Sequence, residues 1–287
     1  MATKRCTFKE VEGISIDCEI DLPESKTQSM PVVLYYHGGA LTGGDLHLYN
    51  ELIKKKLLDA GYAFVSADYR LAPVTKLPEI MEDVEDAYSW VLGPGAKEFG
   101  WDPERVAVMG SSAGGYISLM TGTFSPAPKA IVSFYGYGDI LGDWYCKPDP
   151  FYCQQPAVSE EEAVENVGGD FPRTSWDASK FYLRCRQQGT WTALVSGMDP
   201  IAQRKDIEKY CPEFQVKAGY PPTFLLHGNQ DTDVPYEQSV QMRDALKKEG
   251  IDVAFYTEEG GGHGFDYGWE KTPEKMQMVL DFLKNYV

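Results

Sequence analysis

Gly110-Ser111-Ser112-Ala113-Gly114 is the stretch that decides how this chain is expected to fold. Residues 105–109 before it are mainly apolar and predict a buried strand, and residues 115–120 after it can continue as a helix. A serine on such a strand-to-helix turn has a strained backbone and an exposed hydroxyl, with the helix N-terminus behind it. Small residues must flank it because strand and helix approach closely there. The pattern predicts Ser112 as a nucleophile, and the alternative is an ordinary tight turn.

The rest of the chain alternates between strand and helix patterns. Strands are predicted at residues 6–9, 14–20, 31–36, 62–67, 105–110, 130–134, 223–227 and 253–256. Helices are predicted at residues 49–60, 78–92, 235–249 and 273–286. Strands that alternate with helices of ten or more residues predict an α/β fold, with a mainly parallel, doubly wound sheet covered by helices on both faces.

Residues 137–220 interrupt this alternation, are rich in aromatic residues and form too long a segment for a plain loop. We predict that they form an inserted cap or lid on a core made of residues 1–136 and 221–287. The alternative is a helical extension unrelated to substrate. Within the insert, the predicted substrate contacts are Trp144, Tyr145 and Trp191.

Composition and charge limit the partners and the location. The chain has 287 residues, with 43 acidic and 27 basic side chains and a net charge of −16, which disfavours a nucleic-acid partner. No stretch has the length and apolarity of a signal peptide or a spanning helix, so we predict a cytoplasmic protein without membrane association. The six cysteines are predicted to be reduced, with a Cys146–Cys153 bridge left open. No metal-ligand cluster or nucleotide loop is visible, so no metal and no cofactor is predicted.

A serine hydroxyl needs a base to take its proton and a third group to orient that base. Of the four histidines, His263 is the predicted base, because it lies in a glycine-rich loop, residues 260–264, after the last predicted strand. His37 and His227 are predicted to organise their own loops. His47 is predicted to be an ordinary surface residue.

The orienting acid is expected between the serine and the histidine in chain order. The turn after the strand at residues 223–227 offers two candidates, Asp231 and Asp233. Asp231 is favoured and Asp233 is the alternative. Because they lie two residues apart on a turn, only one of them is expected to face the imidazole.

Donors for a developing oxyanion are predicted at two turns. Backbone N–H groups of a glycine-rich turn serve this purpose, since glycine lets a substrate approach the main chain. His37-Gly38-Gly39-Ala40 follows a predicted strand, and Ala113 follows the predicted nucleophile. The predicted donors are therefore the N–H groups of Gly38, Gly39, Ala40 and Ala113.

Together these segments resemble the hormone-sensitive-lipase-like branch of the α/β-hydrolases, especially small esterases with an HGG motif. The match covers residues 30–136 and 220–287 and includes Ala67-Asp68-Tyr69-Arg70-Leu71-Ala72-Pro73. The resemblance implies that Asp68-Tyr69-Arg70 brace the turn beside the site. It also implies a catalytic triad of Ser112, Asp231 and His263, with an oxyanion hole at Gly38 to Ala40 and Ala113.

The chain departs from that family pattern at three points. Ala40 stands where the family has a third glycine, and its methyl group is expected to crowd the acyl side. Ser111 stands where the family often has an acidic residue. The long N-terminal cap helices of many members are missing, so that the insert would have to supply the lid.

The leading hypothesis is a carboxylic-ester hydrolase that acts on a small apolar or aromatic molecule through an acyl-enzyme on Ser112. One alternative is an acyl-transferring, lactone-forming or cyclising enzyme of a biosynthetic pathway on the same scaffold. Others are a prolyl-oligopeptidase-like peptidase or amidase, and a non-catalytic ligand receptor. The expected partner is a small-molecule substrate, and the chain is expected to act as a monomer or homodimer.

Overall fold

A computed structural model describes residues 3–24, 29–165, 167 and 178–287. In these ranges eight strands form one sheet in the order β1-β2-β4-β3-β5-β6-β7-β8. The strands are β1 (Lys4–Val11), β2 (Ile14–Asp21), β3 (Met30–Tyr36), β4 (Ala63–Ala67), β5 (Trp101–Ser111), β6 (Ala130–Phe134), β7 (Thr223–Gly228) and β8 (Val253–Glu258).

Helices and short helical turns connect these strands. The α-helices are α1 (Glu51–Asp59), α2 (Leu77–Trp90), α3 (Ala96–Phe99), α4 (Ala113–Thr121), α5 (Asp143–Cys146), α6 (Glu160–Val164), α7 (Ser179–Gln188), α8 (Trp191–Ser196), α9 (Arg204–Glu208), α10 (Pro212–Gln215), α11 (Glu237–Lys248) and α12 (Met276–Lys284). A π-helical turn covers Val91–Gly95, and 3-10 turns cover Tyr152–Gln154, Phe265–Lys271 and Pro273–Lys275.

The sheet is mainly parallel, which confirms the predicted fold class. Strand β2 runs antiparallel to both of its neighbours, β1 and β4. The pairs from β4 through β3, β5, β6 and β7 to β8 are all parallel. Successive β3 side chains pack into two different cores, Val32 and Leu34 into one, and Val33 and Tyr35 into the other. Both faces of the sheet are therefore covered by helices.

Element boundaries differ from the sequence prediction where local chemistry interrupts the pattern. Helix α2 stops at Trp90, because Gly93 and Pro94 follow in the π-helical turn. Strand β5 begins at Trp101, earlier than predicted, since Trp101 pairs with Met30 and its indole donates to the Val91 carbonyl. The last helix begins at Met276, after the 3-10 turn at Pro273–Lys275.

Residues 137–220 lie between β6 and β7 and contain α5 to α10. The role of this insert as a cap stays a prediction. Across the described ranges, no helix combines the length and the apolarity needed to cross a membrane. All six cysteines are free thiols, so that Cys146 and Cys153 do not form a bridge. Cys146 lies beside Thr192, with its Sγ 3.4 Å from the hydroxyl oxygen.

The carboxyl ends of the parallel strands bring the predicted site residues to one edge of the sheet. His37 follows β3, Ser112 follows β5, Asp231 follows β7 and His263 follows β8. In open α/β sheets this edge is where ligands bind. The topology therefore gathers loops that are far apart in sequence.

Candidate active site

Ser112 occupies a strained turn between β5 and α4. Its backbone has φ 55° and ψ −120°, a conformation that residues with a side chain rarely adopt. A Cβ atom at Gly114 would collide with the carbonyl oxygen of Tyr36, and one at Gly110 would collide with the Gly114 carbonyl. The close approach of strand and helix therefore requires small residues on both sides of Ser112, as the pentapeptide predicts.

His263 lies between Ser112 and Asp231 and contacts both. Its Nε2 is 3.0 Å from the Ser112 Oγ, and its Nδ1 is 2.7 Å from Asp231 Oδ2. The Tyr135 ring packs edge-on against the imidazole, with the ring centroids 4.6 Å apart. This arrangement can pass the serine proton to the imidazole while a carboxylate orients the ring.

The Asp231 side chain is fully buried and saturated with donors. Its Oδ1 accepts the backbone N–H groups of Asp233 at 2.8 Å and Val234 at 3.0 Å. Its Oδ2 faces both His263 and the Nε2 of His227, which is 3.3 Å away. Burial raises the pKa of Asp231, but hydrogen bonds to His227 and His263 outweigh it and hold the pKa well below its usual value. Asp231 is therefore a carboxylate at neutral pH.

His227 helps to fix Asp231 in place. Its Nε2 lies 3.0 Å from the Val234 carbonyl, so this nitrogen carries the proton and donates. Its Nδ1 accordingly accepts a hydrogen bond from the Ser239 hydroxyl at 2.7 Å. His227 therefore organises its turn, as predicted.

The His263 imidazole is basic enough to act as a proton acceptor. Burial lowers the pKa of His263, but the hydrogen bond to Asp231 and the charges of Asp233 and Asp231 raise it by more, so that the net pKa lies above the usual value. The protonated ring that follows proton transfer is stabilised by the same carboxylates.

Asp233 also faces the imidazole, which corrects the expectation that only one of the two aspartates does. Its Oδ2 lies 3.4 Å from His263 Nε2, whereas Asp231 contacts Nδ1. The turn curls around the ring, so that two carboxylates reach opposite nitrogen atoms. Asp231, and not the alternative Asp233, lies where an orienting acid belongs.

The predicted oxyanion donors border the same space. Gly38, Gly39 and Ala40 line the cavity beside Ser112. Within the described residues, the N–H groups of Gly38, Gly39 and Ala40 have no hydrogen-bond acceptor. The N–H of Ala113 belongs to the first turn of α4, where no acceptor exists inside the helix. Ala40 has φ 54°, a value that glycine adopts more readily than alanine.

The turn after β3 is braced by the residues for which the resemblance implies that role. The Tyr69 hydroxyl donates to the His37 carbonyl at 2.9 Å, and the two rings stack with centroids 4.2 Å apart. Asp68 accepts the N–H of Leu46 at 2.7 Å, and Arg70 forms a buried ion pair with Asp83. Burial lowers the pKa of His37 to about 4, so His37 is a neutral structural group. His47, by contrast, has a side chain that is 58% exposed.

A cavity of about 380 Å³ opens above Ser112. Sequence analysis missed several of its lining residues, because they carry no motif: Leu48, Tyr135, Ala178, Ser179, Tyr182 and Tyr267. Ser111 is held by a hydrogen bond of 2.9 Å to the Tyr35 hydroxyl. Among the described residues, no group of three or more His, Cys, Asp or Glu side chains is arranged to hold a metal ion.

Trp144, Tyr145 and Trp191 are not among the described residues that line this cavity, and their role as substrate contacts stays a prediction. Tyr145 stacks between the other two, at centroid distances of 3.5 Å and 3.8 Å. The Trp191 indole is fully buried and donates to the Ala40 carbonyl at 3.0 Å. These rings pack against one another, and Trp191 also supports the backbone at Ala40.

The insert is instead organised around Arg186, which sequence analysis missed. The Arg186 side chain is fully buried and pairs with Asp149 at 2.6 Å and with Asp233 at 2.9 Å. Its guanidinium also lies over aromatic rings of the insert: Trp144, Tyr145, Tyr152 and Tyr182. Nothing in the local sequence marks this arginine, because all of these contacts are with residues distant along the chain or a helical turn away.

Comparison with known proteins agrees with this fold. The fold is that of the α/β-hydrolases. A profile of the family described as BD-FAE matches residues 18–246, more than half of the chain, and the chain therefore belongs to the BD-FAE family.

Among curated proteins, non-reducing polyketide synthase ausA of Aspergillus calidoustus is 27% identical over 98% of this chain, which spans only 14% of that protein. Esterase LipC of Mycobacterium tuberculosis is 26% identical over 86% of this chain and 55% of its own length. This chain therefore corresponds to only part of either relative.

Solved structures share the fold at low identity. A Staphylococcus aureus protein of unknown function superposes with a TM-score of 0.80 and 22% identity over 100% of this chain and 99% of its own. Thermogutta terrifontis esterase 2, phosphoramylated by tabun, gives a TM-score of 0.70 and 19% identity over 99% of this chain and 94% of its own.

Proposed function

We propose that this chain is a serine hydrolase that cleaves carboxylic esters of small molecules through an acyl-enzyme on Ser112. The observation that carries the proposal is the pair of contacts made by His263, 3.0 Å to the Ser112 Oγ and 2.7 Å to Asp231 Oδ2. Both distances lie within hydrogen-bond reach, and the residues follow the chain order expected on this fold.

The proposed reaction begins when Ser112 Oγ attacks the ester carbonyl and its proton passes to His263 Nε2. The carbon–oxygen bond to the alcohol then breaks, and His263 returns the proton to the departing oxygen. Water attacks the acyl-enzyme in the second half, with His263 again taking and returning a proton. Asp231 remains ionised throughout and holds the imidazole by Nδ1.

The oxyanion is proposed to bind to backbone N–H groups at the cavity wall. Gly38, Gly39 and Ala40 present unpaired N–H groups in the described structure, and Ala113 provides one from the first turn of α4. Donors fixed in place before the reaction stabilise the developing charge without reorganisation.

The substrate is proposed to be a small, largely apolar or aromatic ester. A cavity of about 380 Å³ lies within the range of small-molecule sites. One relative, LipC, is named an esterase. The HGG segment and the Gly110–Gly114 turn support placement in the hormone-sensitive-lipase-like branch, and a cytoplasmic location is proposed with it.

Covalent labelling tests the nucleophile. A fluorophosphonate probe should label the wild-type protein and fail to label Ser112→Ala. Ser111→Ala is the matched control, because it removes the neighbouring hydroxyl and should still be labelled. Equal labelling of wild type and Ser112→Ala, or failure of the wild type to hydrolyse any short-chain aryl ester, would overturn the proposal.

Acyl transfer is a second candidate function, since several relatives are named polyketide synthases rather than hydrolases. The same acyl-enzyme can pass its acyl group to an alcohol, or to a hydroxyl of the acyl chain itself, in place of water. Product analysis with 4-nitrophenyl esters and added alcohols separates the two. Mostly free acid supports hydrolysis, whereas mostly new ester supports transfer. Amidase and receptor activities stay alternatives, tested by amide turnover and by binding without turnover.

A further inference from the structure

The Asp233 carboxylate has one oxygen held by the insert and one that faces the cavity. Its Oδ1 accepts hydrogen bonds from three donors of the insert: Tyr152 Oη at 2.7 Å, Tyr182 Oη at 2.6 Å and Arg186 Nη1 at 2.9 Å. The carboxylate cannot rotate without breaking all three bonds. Its side chain nevertheless stays 22% exposed and lines the cavity.

The other oxygen, Oδ2, lies 3.4 Å from His263 Nε2, the nitrogen that also faces Ser112. In the described part of the chain, no donor forms a hydrogen bond with this oxygen, and its contact with the imidazole is longer than a normal hydrogen bond. A carboxylate oxygen can accept two hydrogen bonds. Oδ2 therefore keeps the capacity to accept a donor from a bound molecule.

The charges around Asp233 define what kind of molecule suits this oxygen. Arg186 forms ion pairs with two carboxylates, Asp233 and Asp149. These three side chains together therefore carry more negative than positive charge. None of the described residues that line the cavity is a lysine or an arginine. This wall is an acceptor with negative charge, which favours a hydrogen-bond donor and repels an anion.

The position of Oδ2 relates it to the leaving group. Under the proposed function, His263 Nε2 protonates the departing alcohol oxygen, which must therefore lie within hydrogen-bond distance of Nε2. Because Oδ2 is 3.4 Å from Nε2, a hydroxyl on the neighbouring carbon of that alcohol can come within reach of Oδ2. We propose that Asp233 accepts a hydrogen bond from such a hydroxyl, so that monoesters of 1,2-diols are preferred substrates. This inference rests on the proposed ester hydrolysis.

Three acetates of similar size test the preference: 2-hydroxyethyl, 2-methoxyethyl and propyl acetate. The hydroxyl can donate to Oδ2, whereas the methoxy oxygen can only accept and the propyl group can do neither. We expect the hydroxyethyl ester to show a kcat/KM roughly tenfold higher than either of the others, the size expected for a hydrogen bond to a charged acceptor. Equal values for the three esters overturn the inference.

Asp233→Asn reverses the polarity of the subsite. The amide oxygen can still accept from the insert, while an NH₂ group replaces Oδ2 and donates. The hydroxyethyl and methoxyethyl esters should then have nearly the same kcat/KM, so that their ratio falls to about one. Asp149→Asn is the matched control, since it removes the other carboxylate of Arg186 but does not line the cavity, and should keep the wild-type ratio. An unchanged ratio in Asp233→Asn, or an equal fall in both variants, overturns the inference.

Turnover of 4-nitrophenyl acetate separates failure of this inference from failure of the proposed function. If the wild type hydrolyses 4-nitrophenyl acetate but shows no diol preference, the Asp233 subsite alone is overturned. If it neither turns over this ester nor labels at Ser112, the proposed function fails as well. If Asp233→Asn does not fold, the three wild-type rates decide the matter.

Discussion

Two regions of this chain are built in opposite ways. One is the loop edge, which holds Ser112, Asp231 and His263, and the other is the insert at residues 137–220. At the loop edge, each group is positioned by a short segment next to a strand, such as the Gly110–Gly114 turn. In the insert, Arg186 is positioned by partners from separate segments, including Asp149 and Asp233. The chemistry is therefore encoded locally, whereas its surroundings are encoded by long-range packing.

Replacement of Asp231 by asparagine should show the largest effect and tests the local side of this comparison. The amide cannot hold the imidazole in the productive tautomer, so kcat on 4-nitrophenyl acetate should fall by about 10⁴-fold. Stopped-flow or long-time absorbance assays measure the residual rate. Asp59→Asn, an exposed residue of α1, is the control and should keep wild-type kcat. A loss of less than tenfold in Asp231→Asn would contradict the proposed role.

Replacement of Arg186 by methionine tests the long-range side. It removes the buried cation and leaves the Asp149 and Asp233 carboxylates without their partner, so the free energy of unfolding should fall by about 3 kcal/mol. Urea denaturation followed by tryptophan fluorescence measures the change. Arg184→Met, on the same helix but with a side chain 31% exposed, should lose less than about 1 kcal/mol. Equal losses in both variants would show that the insert is not organised around Arg186.

Trp191 contacts both regions, because it stacks on Tyr145 in the insert and bonds to Ala40 at the loop edge. Its replacement should cause the smallest change among these predictions. Trp191→Phe keeps a ring against Tyr145 but removes the N–H that the Ala40 carbonyl accepts. Loss of this buried hydrogen bond to Ala40, a proposed oxyanion donor, should lower kcat by about fivefold with little change in KM.

The matched control for that variant is Trp144→Phe. It removes an indole N–H from the same stack, but this N–H bonds to the Asp139 carbonyl, away from Ala40. Steady-state kinetics of both variants should show the kcat loss in Trp191→Phe alone. A rise in KM without a fall in kcat would instead point to altered substrate binding.

The sequence predicted the parts whose geometry depends on neighbouring residues. The alternation of strands and helices predicted the parallel sheet, and the glycine-flanked turns predicted which groups meet at its edge. Contact of Asp233 with the imidazole was not predictable, because it depends on how the turn curls around the ring. The aromatic residues of the insert were interpreted as substrate contacts from composition alone, yet Tyr145 and Trp191 are buried by packing.

Asp233 belongs to the cavity wall and to the partners of Arg186 at the same time. A molecule that binds at Oδ2, as proposed, would contact the same carboxylate that anchors α7, and any coupling between that binding and the α7 contacts is reciprocal. Substitutions that alter the contacts of α7 with Asp233 are therefore expected to change both the stability of α7 and the proposed substrate preference.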